Sequence, residues 1–308
     1  MPEKSFAAAL DAVATGALVR RDAARSTLVV TGADRQSWLN GLVTCDLKPL
    51  RAGEGAYGLS VGKTGRVQAD LWVALGAERL LVGLPRERVD TVRALFEHHL
   101  IMEDVELAED AALGWLFAFG PGSARLLALA GSDLAAAVRA RYGDLEACLC
   151  VGDGPALDAL AAAARALPGV VEASEAAWER VRIEHLLPRW GVDFGEVYAQ
   201  EAALERLAVS FQKGCYLGQE AVFMLEKRGQ ASRRLVQLAV TGSEPVAVGA
   251  PIVASDGDPV GTVSSACAAG ARWLALGTVK RRSAGAGSSV TVAGRPAEVS
   301  VGLDPSAL

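Results

Sequence analysis

No apolar run in this sequence is long enough to cross a bilayer as a helix, so no membrane-embedded part is expected. Basic charge is in deficit: 31 Lys and Arg stand against 36 Asp and Glu, a net charge of −5. That removes the broad basic footprint of a nucleic-acid binder, and no direct contact with nucleic acid is expected. Histidine is scarce. The three present, His98, His99 and His185, are scattered along the chain. No Ser/His/Asp arrangement stands out, and no ligand set points to a stably bound metal. The five cysteines are odd in number and lack a disulfide-framework spacing, which implies reduced thiols and a cytoplasmic setting. The start, "MPEKSFAAALDAVATGALVRRD", lacks the basic opening, apolar core and cleavage site of a signal peptide and reads as an amphipathic helix.

What is there is an ordinary globular composition, half hydrophobic and about a fifth charged, over 308 residues. That length is more than one typical core needs. "STLVV" reads as a strand, followed by a turn and a helix with Asp34 at its N-cap and Trp38, Leu39, Leu42 and Val43 on one face. Alternation from Val67 to Leu75 predicts a strand, and "RERVDTVRALFEHHL" predicts a helix with Val89, Val92 and Phe96 inward. Between about 111 and 170, strands at "LGWLFAFG" and "EACLCVG" alternate with Ala/Leu helices around 123–141 and 155–167. The alternation lacks βαβ regularity, which favours α+β. "EAAWERVRIEHLLPRWG" predicts a helix stopped by Pro188. From Arg233 onward, short strands with turn residues between them predict a small antiparallel barrel. The expected division is a bipartite region over 1–232, with lobes of about 1–110 and 111–232, and a barrel domain over 233–308.

"GLSVGKTG" (58–65) imitates a phosphate loop. Its glycine spacing is wrong, and a strand rather than a helix comes after it, so it predicts a hairpin turn. Cys148 and Cys150 share one face of a strand and suit the core.

"KGCYLGQE" (213–220) differs because of its neighbours. Cys215 precedes a short helix, "GQEAVFMLEKRG", and stands beside Lys213; both favour a thiolate. Glu220 opposes it. Gly214 and Gly218 allow close backbone approach to a flat or charged group. A working thiol and a structural cysteine both remain open. Glu184 either faces water, with Arg180 or Arg182 as an ion-pair partner, or offers a bidentate acceptor to paired N–H donors of a ligand.

The motif Lys213, Gly214, Cys215, Tyr216, Gly218, Gln219 and Glu220 resembles the signature of the YgfZ proteins, folate-binding relatives of the glycine-cleavage aminomethyltransferase. The resemblance runs over almost the whole chain, through "WLNGLVTCDLKPLRAGEGAYGLSVGKTGRVQADLWV" and "RVRIEHLLPRWGVDF" into the barrel. It implies an aminomethyltransferase-like fold of α+β lobes in a ring closed by the barrel, with tetrahydrofolate or a one-carbon derivative as cofactor. By the same resemblance Glu184 would recognise the pterin, and Arg228 and Arg233 would take the anionic glutamate tail or simply form a solvated basic face. The transferases carry paired aspartates on one strand where this chain reads Ala69-Asp70, which leaves Asp70 as a candidate catalytic carboxylate. The resemblance leaves two function classes. One is a folate-dependent accessory protein that maintains iron–sulfur enzymes, tRNA-thiolating ones included, through Cys215, with those enzymes or their assembly proteins as partners. The other is an aminomethyltransferase or a related demethylase.

Overall fold

A computed structural model of the protein describes residues 2–227 and 230–303, with side chains from residue 6. The chain forms two compact units. Among the described residues, one holds 7–174 and 206–219; the other holds 2–6, 175–205, 220–227 and 230–303.

The first unit is built from α1 (Pro2–Thr15) after its first five residues, β1 (Ala17–Asp22), β2 (Arg25–Thr31), α2 (Arg35–Asn40), β3 (Gly55–Val61), β4 (Val67–Leu75), β5 (Leu80–Pro85), α3 (Val89–Glu97) and β6 (Glu106–Glu109). It continues with β7 (Gly114–Phe119), α4 (Arg125–Leu129), β8 (Ala136–Tyr142), β9 (Leu145–Gly152), α5 (Gly154–Arg165) and β10 (Val170–Glu172). These strands make two five-stranded sheets, β3-β4-β5-β2-β6 and β10-β1-β7-β9-β8. Each sheet buries one face under helices. Trp38 and Leu39 of α2 and Val92 and Phe96 of α3 cover Leu28, Leu71 and Val73. Leu157, Leu160 and Ala164 of α5 cover Leu116, Cys148 and Cys150. The other two faces meet through aromatic rings: Trp72 lies 5.4 Å from Phe117 and 5.2 Å from Tyr142. The sheets approach closely at Gly83, where a Cβ would stand 2.6 Å from the Trp115 ring. Because both faces of β4 are covered, Asp70 and Trp72 are as buried as Leu71 and Val73.

Most of the predicted elements of this unit are present, including the helix over 89–97 with Val89, Val92 and Phe96 buried. The "GKTG" stretch is a hairpin turn: β3 pairs antiparallel with β4, and the Gly65 N–H reaches the Gly62 carbonyl at 2.8 Å. The helix expected over 123–141 is not. Only Arg125–Leu129 is helical, and Ala136–Tyr142 is strand β8, paired along its length with β9. Gly131, Ser132 and Asp133 break the Ala/Leu run, and an open sheet edge captures the residues beyond them. Asp34 stands at the start of α2 without capping it; its carboxylate takes the Asp104 N–H instead.

The second unit contains α6 (Glu175–Glu184), the first residue of α7 (Glu205–Ala208), most of α8 (Gln219–Lys227), and the strands β11 (Arg233–Thr241), β12 (Pro251–Ala254), β13 (Pro259–Ala269), β14 (Arg272–Lys280), β15 (Ser289–Val292) and β16 (Arg295–Val301). The six strands close into a barrel in the order β11-β14-β13-β12-β15-β16. Val236, Leu238, Val240, Ile252, Val263 and Val279 help to fill it. Closure removes the free edges that a sheet this small would otherwise expose. α6 packs outside, with Ile183 against Leu235, Leu274 and Leu276.

Candidate functional site

In the first unit the cysteine motif is an extended loop laid on the turn after α2. The Lys213 ammonium donates to three backbone carbonyls, Asn40 at 2.7 Å, Val43 at 2.8 Å and Cys45 at 2.7 Å. Three N–H donors meet three acceptors, so the side chain is fully used although it is buried. Burial holds its pKa below the usual lysine range. The Tyr216 ring lies 5.3 Å from the ammonium, and burial pushes its phenol up to about 12. Further bonds fix the approach. The Thr44 hydroxyl donates to the Ala208 carbonyl at 2.7 Å, the Ser210 N–H reaches Thr44 O at 3.0 Å, and the Leu217 N–H reaches Gly41 O at 2.9 Å. Gly218 has φ +74°, and a Cβ there would stand 2.3 Å from the Gly62 carbonyl oxygen, so the hairpin that imitates a phosphate loop forms the surface on which the motif's second glycine rests. Gln219 donates weakly to Gly214 O at 3.4 Å. Gly214 and Cys215 project from this scaffold into solvent. Cys215 is exposed, whereas Cys45, Cys148, Cys150 and Cys267 are buried. The loop is therefore a rigid mount for one accessible thiol. Cys215 lies four residues before α8, too far to sit on its first turn, and the lysine expected to act on the thiol is committed to carbonyls.

Asp70 lies elsewhere in this unit, between the sheets. Its Oδ2 takes Arg25 Nη2 at 2.6 Å and the Tyr57 hydroxyl at 3.1 Å. Arg25 also donates to Asp22 at 3.1 Å and to the Gly83 carbonyl at 3.2 Å. Burial disfavours the guanidinium's charge, but Asp70 and Asp22 outweigh it and carry its pKa above the normal range. Burial would likewise raise Asp22, yet Arg25 and Arg20 hold it below the usual carboxylate value. Asp70 is thus the acceptor of a buried charge network.

In the second unit Glu184 ends α6. Leu186 adopts φ +51°, and the Leu187 N–H bonds to Arg182 O at 2.8 Å, closing the helix with a left-handed turn. The Gln237 amide donates to the carbonyls of Ile183 at 2.7 Å and Glu184 at 2.8 Å, satisfying groups that a helix end leaves bare. Arg182 turns inward. It donates to Asp193 at 2.6 Å, to both Glu179 oxygens at 2.6 and 2.7 Å, and to the Ser265 hydroxyl at 2.5 Å. Arg180, four residues before Glu184, pairs with its Oε2. The Glu184 side chain is 38% exposed, and its Oε1 accepts no hydrogen bond among the described residues. Arg233 begins β11 and is exposed, with no ion pair or side-chain hydrogen bond among the described residues. Glu220 is exposed in the first turn of α8; Arg228 and Gly229 lie outside the described residues. Among the described residues no group of three or more His, Cys, Asp or Glu side chains is arranged to hold a metal ion, and no helix is long and apolar enough to cross a membrane.

The structure thus groups Lys213, Gly214, Cys215, Tyr216, Gly218 and Gln219 in one unit, and Glu184 with Arg233 in the other. Arg25, Thr44, Arg182 and Gln237 support these places. No local sequence pattern marks them, because Asp70 for Arg25, Ala208 for Thr44, Ser265 for Arg182 and Ile183 for Gln237 come from distant segments.

No known family profile matches the chain. It is 25% identical over 309 aligned positions to an Arabidopsis thaliana chloroplastic protein named as a candidate transferase, covering 92% of this chain and 70% of the plant protein. It is 25% identical over 232 residues to tRNA-modifying protein YgfZ of Aliivibrio fischeri, covering 71% of this chain and 70% of that protein. Among solved structures, the glycine cleavage system aminomethyltransferase T of Bartonella henselae superposes with a TM-score of 0.79 at 20% identity, covering 96% of this chain and 88% of the other. The chain is therefore a distant relative of the YgfZ proteins and has the aminomethyltransferase fold, as the motif and the barrel pattern led one to expect.

Proposed function

We propose that this protein is a tetrahydrofolate-binding accessory factor in tRNA modification, which supports iron–sulfur enzymes through Cys215. The observation that carries the reading is the mounting of that thiol. It is the exposed one of five, held out by a loop whose lysine is fastened to three carbonyls. A rigid presentation of this kind suits action on a partner or an adduct, since a site held in place loses little freedom on engagement. The relationship to a protein named for tRNA modification supplies the process.

Two features of the second unit suit folate. Glu184 offers a free carboxylate oxygen beside one already steadied by Arg180, an acceptor for the paired N–H donors of a pterin. Arg233 lies on the same strand as Gln237, which holds the Glu184 carbonyl. Four residues of β-strand span about 13 Å, and a folate bound between Glu184 and Arg233 would lie along that stretch of β11. When bound, tetrahydrofolate would supply a carrier for a one-carbon unit. Glu184 would orient its ring, and Arg233 would take its carboxylate. Aminomethyl transfer draws support from the fold alone. It would need a carboxylate at the transferred carbon, and Asp70 is buried and committed to Arg25 and Tyr57.

The test is rescue of a bacterial strain lacking its own relative, scored by methylthiolated tRNA and iron–sulfur enzyme activity, beside calorimetry with tetrahydrofolate. Cys215→Ala is expected to bind folate normally and fail to rescue, whereas Glu184→Ala is expected to weaken binding at least tenfold. Full rescue by Cys215→Ala would make the thiol structural, and unchanged affinity would remove Glu184 from the site.

A further inference from the structure

The chain as a whole is acidic, with a net charge of −5, yet the mount of Cys215 is basic. Three segments of the first unit build it. Residues 40–48 supply the carbonyls around Lys213, 61–67 form the hairpin on which Gly218 rests, and 206–219 carry the thiol. Together they hold Lys48, Lys63, Arg66, Arg206 and Lys213 against one carboxylate, Asp46. Lys213 is engaged by carbonyls, and Asp46 turns Oδ1 to the backbone N–H of Lys48 at 3.1 Å. Glu220, the next acid along the chain, belongs to the other unit. The surplus positive charge therefore lies on the exposed side chains of Lys48, Lys63, Arg66 and Arg206.

Lys63, at the hairpin tip, is the cation nearest in structure to the thiol loop's own backbone contact. It makes no ion pair or side-chain hydrogen bond among the described residues. Its neighbour Gly62 supplies the carbonyl that lies against Gly218. Gly218 is three residues from Cys215, a stretch that covers at most about 10 Å when extended. The loop is shorter than that, because the Gln219 N–H reaches Tyr216 O at 3.1 Å and the Gln219 amide returns to Gly214 O at 3.4 Å. Thiol and ammonium thus share one surface, in a field whose screening length is about 8 Å at physiological salt. Such a field draws anions toward the sulfur and repels cations.

We infer that Cys215 reacts preferentially with small disulfides that bear carboxylates, and that Lys63 sets the preference by attracting those carboxylates. The Cys215 thiol gives its proton to water, and its thiolate attacks one sulfur of the disulfide. The S–S bond breaks, the second sulfur leaves as a thiolate, and Cys215 is left in a mixed disulfide. The inference rests on the reading of Cys215 as a working thiol and names a class of compound that reaches it.

The test compares three disulfides on the full chain: dithiobis(nitrobenzoate), whose two charges are carboxylates, neutral dithiodipyridine, and the dication cystamine. Peptide mass spectrometry confirms modification at Cys215. Each rate is divided by that of dithiodipyridine, which cancels any change in the thiol itself. At low salt Lys63→Gln is expected to slow dithiobis(nitrobenzoate) by about threefold and Lys63→Glu by about tenfold, with cystamine accelerated in the same order. High salt should erase the preference of the wild type, a check that needs no variant. Ratios that ignore both Lys63 substitutions and salt overturn the inference. A ratio that ignores Lys63 but falls with Lys48→Gln or Arg206→Gln overturns the assignment to Lys63. Neither result touches the rescue assay. Full rescue by Cys215→Ala with the ratios as expected removes the working role of the thiol and leaves its selectivity standing.

Discussion

The two candidate functional groups, Glu184 in one unit and Cys215 in the other, share a local plan. Each is exposed, and each comes two residues after a buried cation that fixes its backbone. The cations are held in different ways. Arg182 is surrounded by carboxylates and a hydroxyl, with both Glu179 oxygens, Asp193 and Ser265 around one guanidinium. Lys213 makes no ion pair among the described residues and is held by the dipoles of three carbonyls. The difference reflects what each must hold. A guanidinium fork can brace a helix end against a folded barrel by several directed bonds. An ammonium is compact enough to fit inside a single turn of backbone and lock a loop to it.

The comparison can be broken at either cation. Arg182→Met is expected to have the largest effect, because it leaves the fully buried Asp193 side chain without its cation. A loss of roughly 3–5 kcal/mol in urea unfolding is expected. Partial refolding of such a protein would still show weakened tetrahydrofolate binding through the loosened turn at Glu184. Lys213→Met leaves carbonyls rather than a charge unsatisfied, and a smaller loss, roughly 2–3 kcal/mol, is expected from the same measurement. It should also abolish rescue while sparing folate affinity; if it lowers folate affinity and leaves rescue intact, the two anchors do not serve separate groups. The smallest effect is one of pH. Burial holds Lys213 below 10.5, so between its folded value and 10.5 the unfolded chain carries more protons at this site than the folded one, and stability rises with pH across that window. Arg182 is shifted the other way: burial disfavours its charge, but Glu179 and Asp193 outweigh it, so it stays charged throughout. The stability gap between wild type and Lys213→Met should therefore widen as pH rises toward 10.5, while the gap to Arg182→Met stays level. A narrowing first gap would show that the carbonyl cage favours the ammonium more than burial opposes it.

Much of this was legible in the sequence, for reasons that particular elements make clear. The barrel could be read because each strand alternates over a short span between turn residues, a local signal that needs no partner. The motif around Cys215 could be read because its residues are contiguous. The run from 123 to 141 was not, since Ala and Leu favour a helix until β9 offers Ala136–Tyr142 a ladder to join, and that preference is set by tertiary structure. Lys213 beside Cys215 invited an electrostatic reading, but its acceptors lie 168 to 173 residues away and no local pattern announces them. The arginines near Glu184 divide by helical geometry. Arg180, at i−4, shares its face and pairs with it, while Arg182, at i−2, points to the other side and into the barrel network. Asp70 looked like one half of a sheet's alternation, and only the second sheet over it shows that both halves are covered.

The sorting of the cysteines has a practical consequence. With four thiols turned inward and one outward, the folded chain presents a single chemical address to bulky thiol reagents. A fluorophore, spin label or crosslinker can be set on the proposed working atom of the unaltered protein, with no other cysteine removed first. The same arrangement directs oxidants and electrophiles in the surroundings toward that one sulfur.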